Sequence, residues 1–199
     1  MKKSWLSSSK NVGKILLMCA AVGLLASFVL LHDTFEYIRN PDFNPICNIN
    51  PILSCTSAMG SAEAEIIPGL PNPAFGLVAF GALAAFAVLL IAGIKAPRQI
   101  WLAGIGVATA GLAFVIFLYI TSLTVLNTIC PWCFVTWLTT IAVFWALVTH
   151  SLHEKYLVLP KSLEPVGKWW TNNAGLLLAI LYAVLIFIIL VRFNEALFA

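Results

Sequence analysis

The sequence predicts an all-α integral membrane protein with five transmembrane helices. Of its 199 residues, 61% are hydrophobic and 10% are charged, whereas soluble domains carry roughly 25% charged residues. The mean hydropathy is +0.99, and several long runs contain no charged residue. This composition excludes a soluble domain, because so little polar material cannot cover a water-facing surface. It also argues against nucleic-acid binding, since a net charge of +3 in short loops is not a phosphate-binding face.

Uncharged runs locate the helices in chain order. Three separate runs are 15–31, 74–94 and 174–191. With their flanks, they supply the roughly 20 residues that a helix needs to cross a bilayer. Residues 101–149 are also uncharged, and one helix of that length would measure about 73 Å. We therefore expect this run to turn near 127–131, with Pro131 in the first turn of the next helix, where proline is favoured.

The basic residues predict the orientation of the helices. Nine of the eleven lysines and arginines fall on one side: Lys2, Lys3, Lys10, Lys14, Lys95, Arg98, Lys155, Lys161 and Lys168. The positive-inside rule assigns that side to the cytoplasm. The loop at 32–73, the turn near 127 and the tail from Arg192 then face outside. We expect a bacterial inner-membrane protein with a cytoplasmic N-terminus, and a first helix rather than a signal peptide, because no small-residue cleavage site follows it.

Four of the five cysteines fall on the outer side in two pairs. Cys47 and Cys55 lie in the long loop, whereas Cys130 and Cys133 form a CxxC motif that opens the fourth helix. The positive end of a helix favours a reactive thiolate there. We expect Cys130 to be accessible and Cys133, about 4.5 Å deeper, to face the bundle interior. Two dithiols in series suit electron transfer from a water-borne thiol to a membrane quinone.

The order of these elements resembles the vitamin K epoxide reductase (VKOR) family. The loop cysteines come first, Ser61 follows, residues 69–76 (GLPNPAFG) open the second helix, and CxxC opens the fourth. The similarity covers about residues 13–150. In DsbB-type membrane enzymes CxxC precedes the loop pair, so the order in this sequence favours VKOR.

The resemblance implies a four-helix bundle around a quinone pocket, with a fifth transmembrane helix beside it. An exported loop with a short helix would cap the bundle. The quinone would be ubiquinone or menaquinone. Together with the topology, this gives a cytoplasmic N-terminus at 1–12, a catalytic domain at 13–150, a cytoplasmic linker at 151–173, a fifth helix at 174–192 and an exported tail at 193–199.

The resemblance also implies a role for each cysteine. Cys47 would exchange with a reduced exported partner, and Cys55 would pass the electrons to Cys130. Cys133 would then react with the quinone. Because the sequence given ends at Ala199, we expect no fused thioredoxin-like domain. The partner would be a separate exported thioredoxin-fold protein of DsbA type.

Four further residues match the family's quinone pocket. Asn72 matches an asparagine that hydrogen-bonds a quinone carbonyl, and Ser61 matches a serine that helps hold the cap. Phe75 belongs to the helix-opening motif. Trp137 stands where animal members carry a tyrosine, and its indole can donate one hydrogen bond but cannot accept one.

Other interpretations stay open at this point. One alternative is a thiol-driven reductase of a quinone or quinone epoxide, because the direction of electron transfer depends on potentials. A second is a non-enzymatic membrane protein, with Cys47 and Cys55 in a structural disulfide. A four-thiolate zinc site is a further alternative, although the loop spacing is loose for it. The alternative role for Asn72 is to cap its helix, and Cys19 is expected to be a small buried hydrophobe.

Overall fold

The computed structural model describes residues 8–194, so Lys2, Lys3 and the end of the tail at 195–199 lie outside the described residues. The described part is almost entirely helical and contains no β-strand, only two isolated bridges. Its α-helices are α1 (Ser9–Arg39), α2 (Cys55–Met59), α3 (Asn72–Ile91), α4 (Arg98–Thr121), α5 (Pro131–His153) and α6 (Glu164–Arg192). All except α2 are long and apolar enough to cross a membrane, which confirms the prediction of five spans.

The predicted reversal between the third and fourth spans is confirmed. After α4 the chain makes a π-helical turn at Ser122–Leu126, and Asn127 ends this turn in the left-handed conformation with φ 51°. Asparagine adopts this conformation more readily than most residues. Pro131 is the first residue of α5, as expected from its fixed φ.

Helices α1 and α6 extend furthest beyond their uncharged runs. Helix α1 continues through Arg39 into the predicted loop, and α6 begins at Glu164 inside the predicted linker. The uncharged run marks the apolar part of a helix, whereas its charged ends can continue beyond the bilayer core.

Helix α1 packs against both α3 and α5, while α4 and α6 each pack against α5. Two glycines permit the close approach of α1 and α3. A Cβ atom on Gly23 would overlap the ring of Phe80, and one on Gly76 would collide with Ser27 Oγ. A larger residue at either position would force Phe80 or Ser27 to shift, so glycine lets the two helices pack at this distance.

Aromatic rings close the end of the molecule where α4 begins and α5 ends. Trp101 is 1% exposed, and its ring centroid lies 4.4 Å from that of His150 and 6.0 Å from that of Tyr156. Nearby, Trp145 stacks on Trp170 with centroids 4.1 Å apart. We call these five residues the tryptophan end. Its ring contacts join α4, α5 and α6.

Candidate active site

The four predicted catalytic cysteines meet at the opposite end of α5. Cys47 and Cys55 form a disulfide with Cα atoms 5.8 Å apart. Cys130 Sγ lies 3.4 Å from Cys55 Sγ, within hydrogen-bond distance for sulfur. Cys133 packs against the same cluster. We call these four residues the cysteine end, and its geometry brings a disulfide and a dithiol into direct contact.

A short parallel bridge of backbone brings the two pairs together. The Ile129 N–H donates to the carbonyl of Ile52 at 2.7 Å, and the Ser54 N–H donates to the carbonyl of Ile129 at 3.2 Å. Cys55 directly follows Ser54, and Cys130 directly follows Ile129. The register of this pairing therefore sets the approach of the two sulfur atoms.

Asn48 organises the loop around Cys55, and the sequence analysis missed it. Its Oδ1 accepts hydrogen bonds from the backbone N–H groups of Cys55 at 2.8 Å and Thr56 at 3.2 Å. It also accepts from the Ser54 hydroxyl at 3.1 Å. These bonds satisfy N–H groups that a helix start leaves without intrahelical partners. Asparagine is a typical capping residue, but a cap normally lies directly before its helix. Asn48 lies seven residues before Cys55, so no local sequence signal indicated this role.

Cys130 is buried, which corrects the expectation that it is the accessible member of the CxxC pair. It is 2% exposed because Cys55, itself fully buried, packs directly on it. Its Sγ accepts a hydrogen bond from the Cys133 N–H at 3.3 Å and so caps α5. Cys133 is half-buried and lines a cavity, as expected for a sulfur that faces the interior.

The cavity beside Cys133 has a volume of about 530 Å³. This lies within the roughly 300–1,000 Å³ typical of small-molecule sites. Its walls come from α1, α3, α4 and α5, and loop residues including Ala58, Met59 and Ala64 complete it. Small residues on α3 and α4 leave the space: Ala79, Ala82, Ala103, Gly104, Ala108 and Gly111. The result is a largely apolar chamber that one sulfur of the cysteine end reaches.

All four residues predicted to contact a quinone line this cavity. Phe75 contributes a partly exposed ring, and the Ser61 hydroxyl donates to the Ala58 carbonyl at 2.9 Å. Trp137 is 4% exposed, and its Nε1 has no hydrogen-bond partner within residues 8–194. An unpaired buried donor costs about 1–3 kcal/mol. Trp137 therefore has a hydrogen-bond donor that a ligand's acceptor would satisfy.

Asn72 connects the loop to α3 and does not cap its own helix. Its Nδ2 donates to the Glu63 carbonyl at 2.6 Å, and its Oδ1 accepts from the Ile66 N–H at 3.0 Å. No side chain caps the start of α3, so the capping interpretation is wrong. The carboxamide lies at the cavity wall and carries a second N–H that these two bonds do not use.

The cysteine end does not form a four-thiolate metal set in this structure. Two of its sulfur atoms are joined in the Cys47–Cys55 disulfide. Across residues 8–194, no group of three or more histidine, cysteine or acidic residues is arranged to hold a metal ion. Thiol–disulfide exchange is the chemistry that this arrangement supports.

The model of the vitamin K epoxide reductase family matches residues 14–148. This segment contains all four clustered cysteines and every residue predicted to contact a quinone, whereas α6 lies outside it. No curated protein matches the chain. The five apolar helices fit a multi-pass membrane protein. The chain therefore belongs to the vitamin K epoxide reductase family, whose members are thiol-dependent oxidoreductases of quinones or quinone epoxides and work with thiol-redox partner proteins.

Proposed function

We propose that this protein reoxidises an exported thioredoxin-fold protein of DsbA type and passes the electrons to a membrane quinone. The observation that carries the proposal is the continuous row of sulfur atoms. It runs from the Cys47–Cys55 disulfide, across the 3.4 Å contact with Cys130, to Cys133 at the cavity wall. Such a row can connect a water-borne thiol to an acceptor in the membrane.

The proposed relay begins when the partner's dithiol reduces the Cys47–Cys55 disulfide and becomes a disulfide itself. Ile46, directly before Cys47, is fully exposed. Cys47 itself is 5% exposed, so the partner reaches its sulfur from this loop surface after a local opening. This step leaves two thiols in the loop and consumes the two electrons that the partner supplies.

The electrons then move inward by two exchanges. The Cys55 thiolate attacks Cys130 of an oxidised CxxC pair, and Cys133 leaves as a thiolate. Cys47 next attacks Cys55, which re-forms the loop disulfide and releases Cys130. Two electrons pass from the loop pair to the CxxC pair without any further reagent. The arrangement described above, with the loop pair joined and Cys130 unbonded beside it, corresponds to the product of this step.

We further propose that α1, α3, α4 and α5 form a four-helix bundle around a quinone pocket, which is the cavity beside Cys133. Its apolar walls, its volume and the unpaired Trp137 N–H suit a ring with carbonyl acceptors. Ubiquinone or menaquinone would accept two electrons and two protons as Cys130 and Cys133 return to a disulfide. Asn72 and Ser61 hold the loop over the pocket, and Phe75 contributes to its apolar wall.

In the proposed location, the protein spans a bacterial cytoplasmic membrane with its N-terminus in the cytoplasm. The cysteine end then faces the periplasm or exterior. The tryptophan end faces the cytoplasm, together with Lys95 in the connection before α4 and Arg98 at its start. The positive-inside rule supports this orientation. Lipid would contact the many exposed apolar side chains, such as Phe187 on α6.

The test is quinone reduction by the purified protein, supplied with a reduced DsbA-type protein and a soluble quinone analogue. We expect wild-type turnover, and a loss of more than about a hundredfold in Cys130→Ser, because the proposed exchange passes through the Cys130 Sγ, which lies 3.4 Å from Cys55 Sγ. Cys47→Ser should block turnover with the protein donor yet spare reduction by a small thiol. Equal loss with both donors would refute the proposed order of exchange.

Cys19→Ala is the matched control, because this half-buried cysteine lies on α1 outside the cysteine end. It should retain wild-type turnover. Turnover of a quinone epoxide but not of a quinone would favour the thiol-driven reductase instead. No turnover with any donor or quinone by the folded protein would favour a non-enzymatic role with structural disulfides.

A further inference from the structure

The last turn of α6 contacts the turn between α4 and α5, although α6 lies outside the segment that defines the family. Arg192 Nη2 donates to Asn127 Oδ1 at 2.5 Å. Its Nε donates to the Leu123 carbonyl at 3.3 Å. Both acceptors lie in the reversal that leads directly to Ile129 and Cys130. Arg192 therefore joins α6 to the segment that carries the CxxC motif.

Phe193 adds an apolar contact at the same place. It is 6% exposed and belongs to a buried cluster with Ile52, Leu123 and Ile129. The bridge beside the cysteine end pairs Leu53 with Ile129, and one of its two hydrogen bonds runs from the Ile129 N–H to the Ile52 carbonyl. Phe193 therefore shares one buried cluster with residues from both halves of that bridge, one from the loop and one from the reversal.

A third contact fixes α6 about two turns before Arg192. The Tyr119 hydroxyl of α4 donates to the Leu185 carbonyl of α6 at 2.9 Å. Partly buried Tyr119 and Ile189 also pack against the cluster that contains Phe193. The end of α6 is therefore held on α4, where it can restrain the reversal.

We propose that Arg192 and Phe193 are positioning residues for the exchange between Cys55 and Cys130. The physical reason is that the approach of the two sulfur atoms depends on the register of the bridge. A slip of one residue in its register would move Cys130 by about 3.3 Å, close to the whole distance of 3.4 Å between the two sulfur atoms. The contacts of α6 disfavour such a slip by fixing the reversal. This inference rests on the exchange step of the proposed function.

The experiment measures how readily Cys55 and Cys130 form a disulfide with each other. Cys19→Ala, Cys47→Ser and Cys133→Ser in the full-length protein leave these two cysteines as the only pair. Equilibration with reduced and oxidised glutathione gives their effective concentration, and neither quinone nor partner is needed. We expect Phe193→Ala to lower this value about tenfold and Arg192→Ala about fivefold. Arg192→Lys should recover part of the loss. The lysine ammonium can still donate a hydrogen bond, but it lacks the planar guanidinium that reaches both acceptors.

Two matched controls make the same chemical changes away from the reversal. Phe187→Ala alters a 65% exposed ring on the same helix, and Arg39→Ala removes an exposed arginine at the end of α1. Both should leave the effective concentration unchanged. The Cys47–Cys55 pair, measured in a Cys130→Ser background, should also be unaffected by Arg192→Ala and Phe193→Ala, because its own loop closes it.

Each result decides the proposal. A selective fall for the Cys55–Cys130 pair supports it. Equal effective concentrations of Cys55 and Cys130 in the α6 variants and their controls would overturn it. A parallel fall in the effective concentration of Cys47 and Cys55 would also overturn it, because it would indicate general unfolding. If Cys55 and Cys130 form no disulfide even with α6 intact, the proposed exchange itself fails. That result is distinguishable because it does not depend on any change in α6.

Discussion

The two ends of α5 are stabilised by different kinds of contact. At the tryptophan end, Trp101 and His150 are buried and in ring contact, and Trp145 stacks on Trp170. At the cysteine end, the loop is held by a backbone bridge, by asparagine side chains and by one disulfide. Exposed side chains such as Ile46 flank these loop contacts.

This difference separates stability from reactivity along one helix. Rings that pack closely on one another cannot move separately without opening a void. The tryptophan end should therefore open only when the whole fold unfolds. Single hydrogen bonds in a loop can break and re-form locally, which the proposed exchange with a partner requires. Substitutions at either end, and in the helix contacts and the cavity between them, test this contrast.

The largest expected effect is at the tryptophan end. Trp101→Ala should reduce the free energy of unfolding by about 3–5 kcal/mol, because it leaves a cavity in the most buried aromatic contact. Titration of the purified protein with denaturing detergent measures this. Trp169→Ala is the control, since Trp169 is 57% exposed on α6, and it should change stability by less than about 0.5 kcal/mol. Equal losses in the two variants would contradict the central role of the ring cluster.

The next effect concerns the contact of α1 with α3. Gly76→Ala should destabilise the fold by about 1–3 kcal/mol, because the new methyl group collides with Ser27 Oγ. The same detergent titration gives the change. Gly81→Ala lies on the same helix with no atom within 4 Å of the added methyl, so it should be neutral or slightly stabilising. A neutral Gly76→Ala would show that the two helices can separate without cost.

A smaller effect is expected inside the cavity. Trp137→Phe keeps an aromatic ring but removes the unpaired N–H, so the KM for quinone should rise about fivefold, the equivalent of one ordinary hydrogen bond. The kcat should change little. Steady-state reduction of a soluble quinone measures both constants, with Trp169→Phe as the control. An unchanged KM would exclude the indole as a quinone ligand.

The smallest effect is expected in the loop. Asn72→Ala removes two hydrogen bonds to the Glu63–Ile66 segment, so a small thiol should reduce the Cys47–Cys55 disulfide about threefold faster. Mass labelling of the released thiols follows the rate. Asn173→Ala removes a comparable hydrogen bond on α6 and should leave the rate unchanged. No acceleration in Asn72→Ala would mean that the loop opens without disturbing this contact.

Much of the fold could be predicted because it follows from local composition. Uncharged runs identify the spans, since a charge inside the bilayer is costly wherever it lies in the chain. Pro131 marked the start of α5 because the ring of proline fixes its own backbone angle. The helix ends at Arg39 and Glu164 were not predicted, because charged residues tolerate helical structure outside the bilayer core.

The candidate site also has a part that the sequence predicts and a part that depends on the tertiary structure. The sequence by itself determined which groups can do chemistry: two cysteine pairs, one of them opening a helix, and a set of cavity residues. Only the tertiary structure decided that Cys130 is buried, that Asn48 holds the start of α2, and that Arg192 and Phe193 contact the reversal. Residue type fixes chemical capacity locally. Burial and distance depend on segments far apart in the chain, such as the 75 residues that separate Cys55 from Cys130.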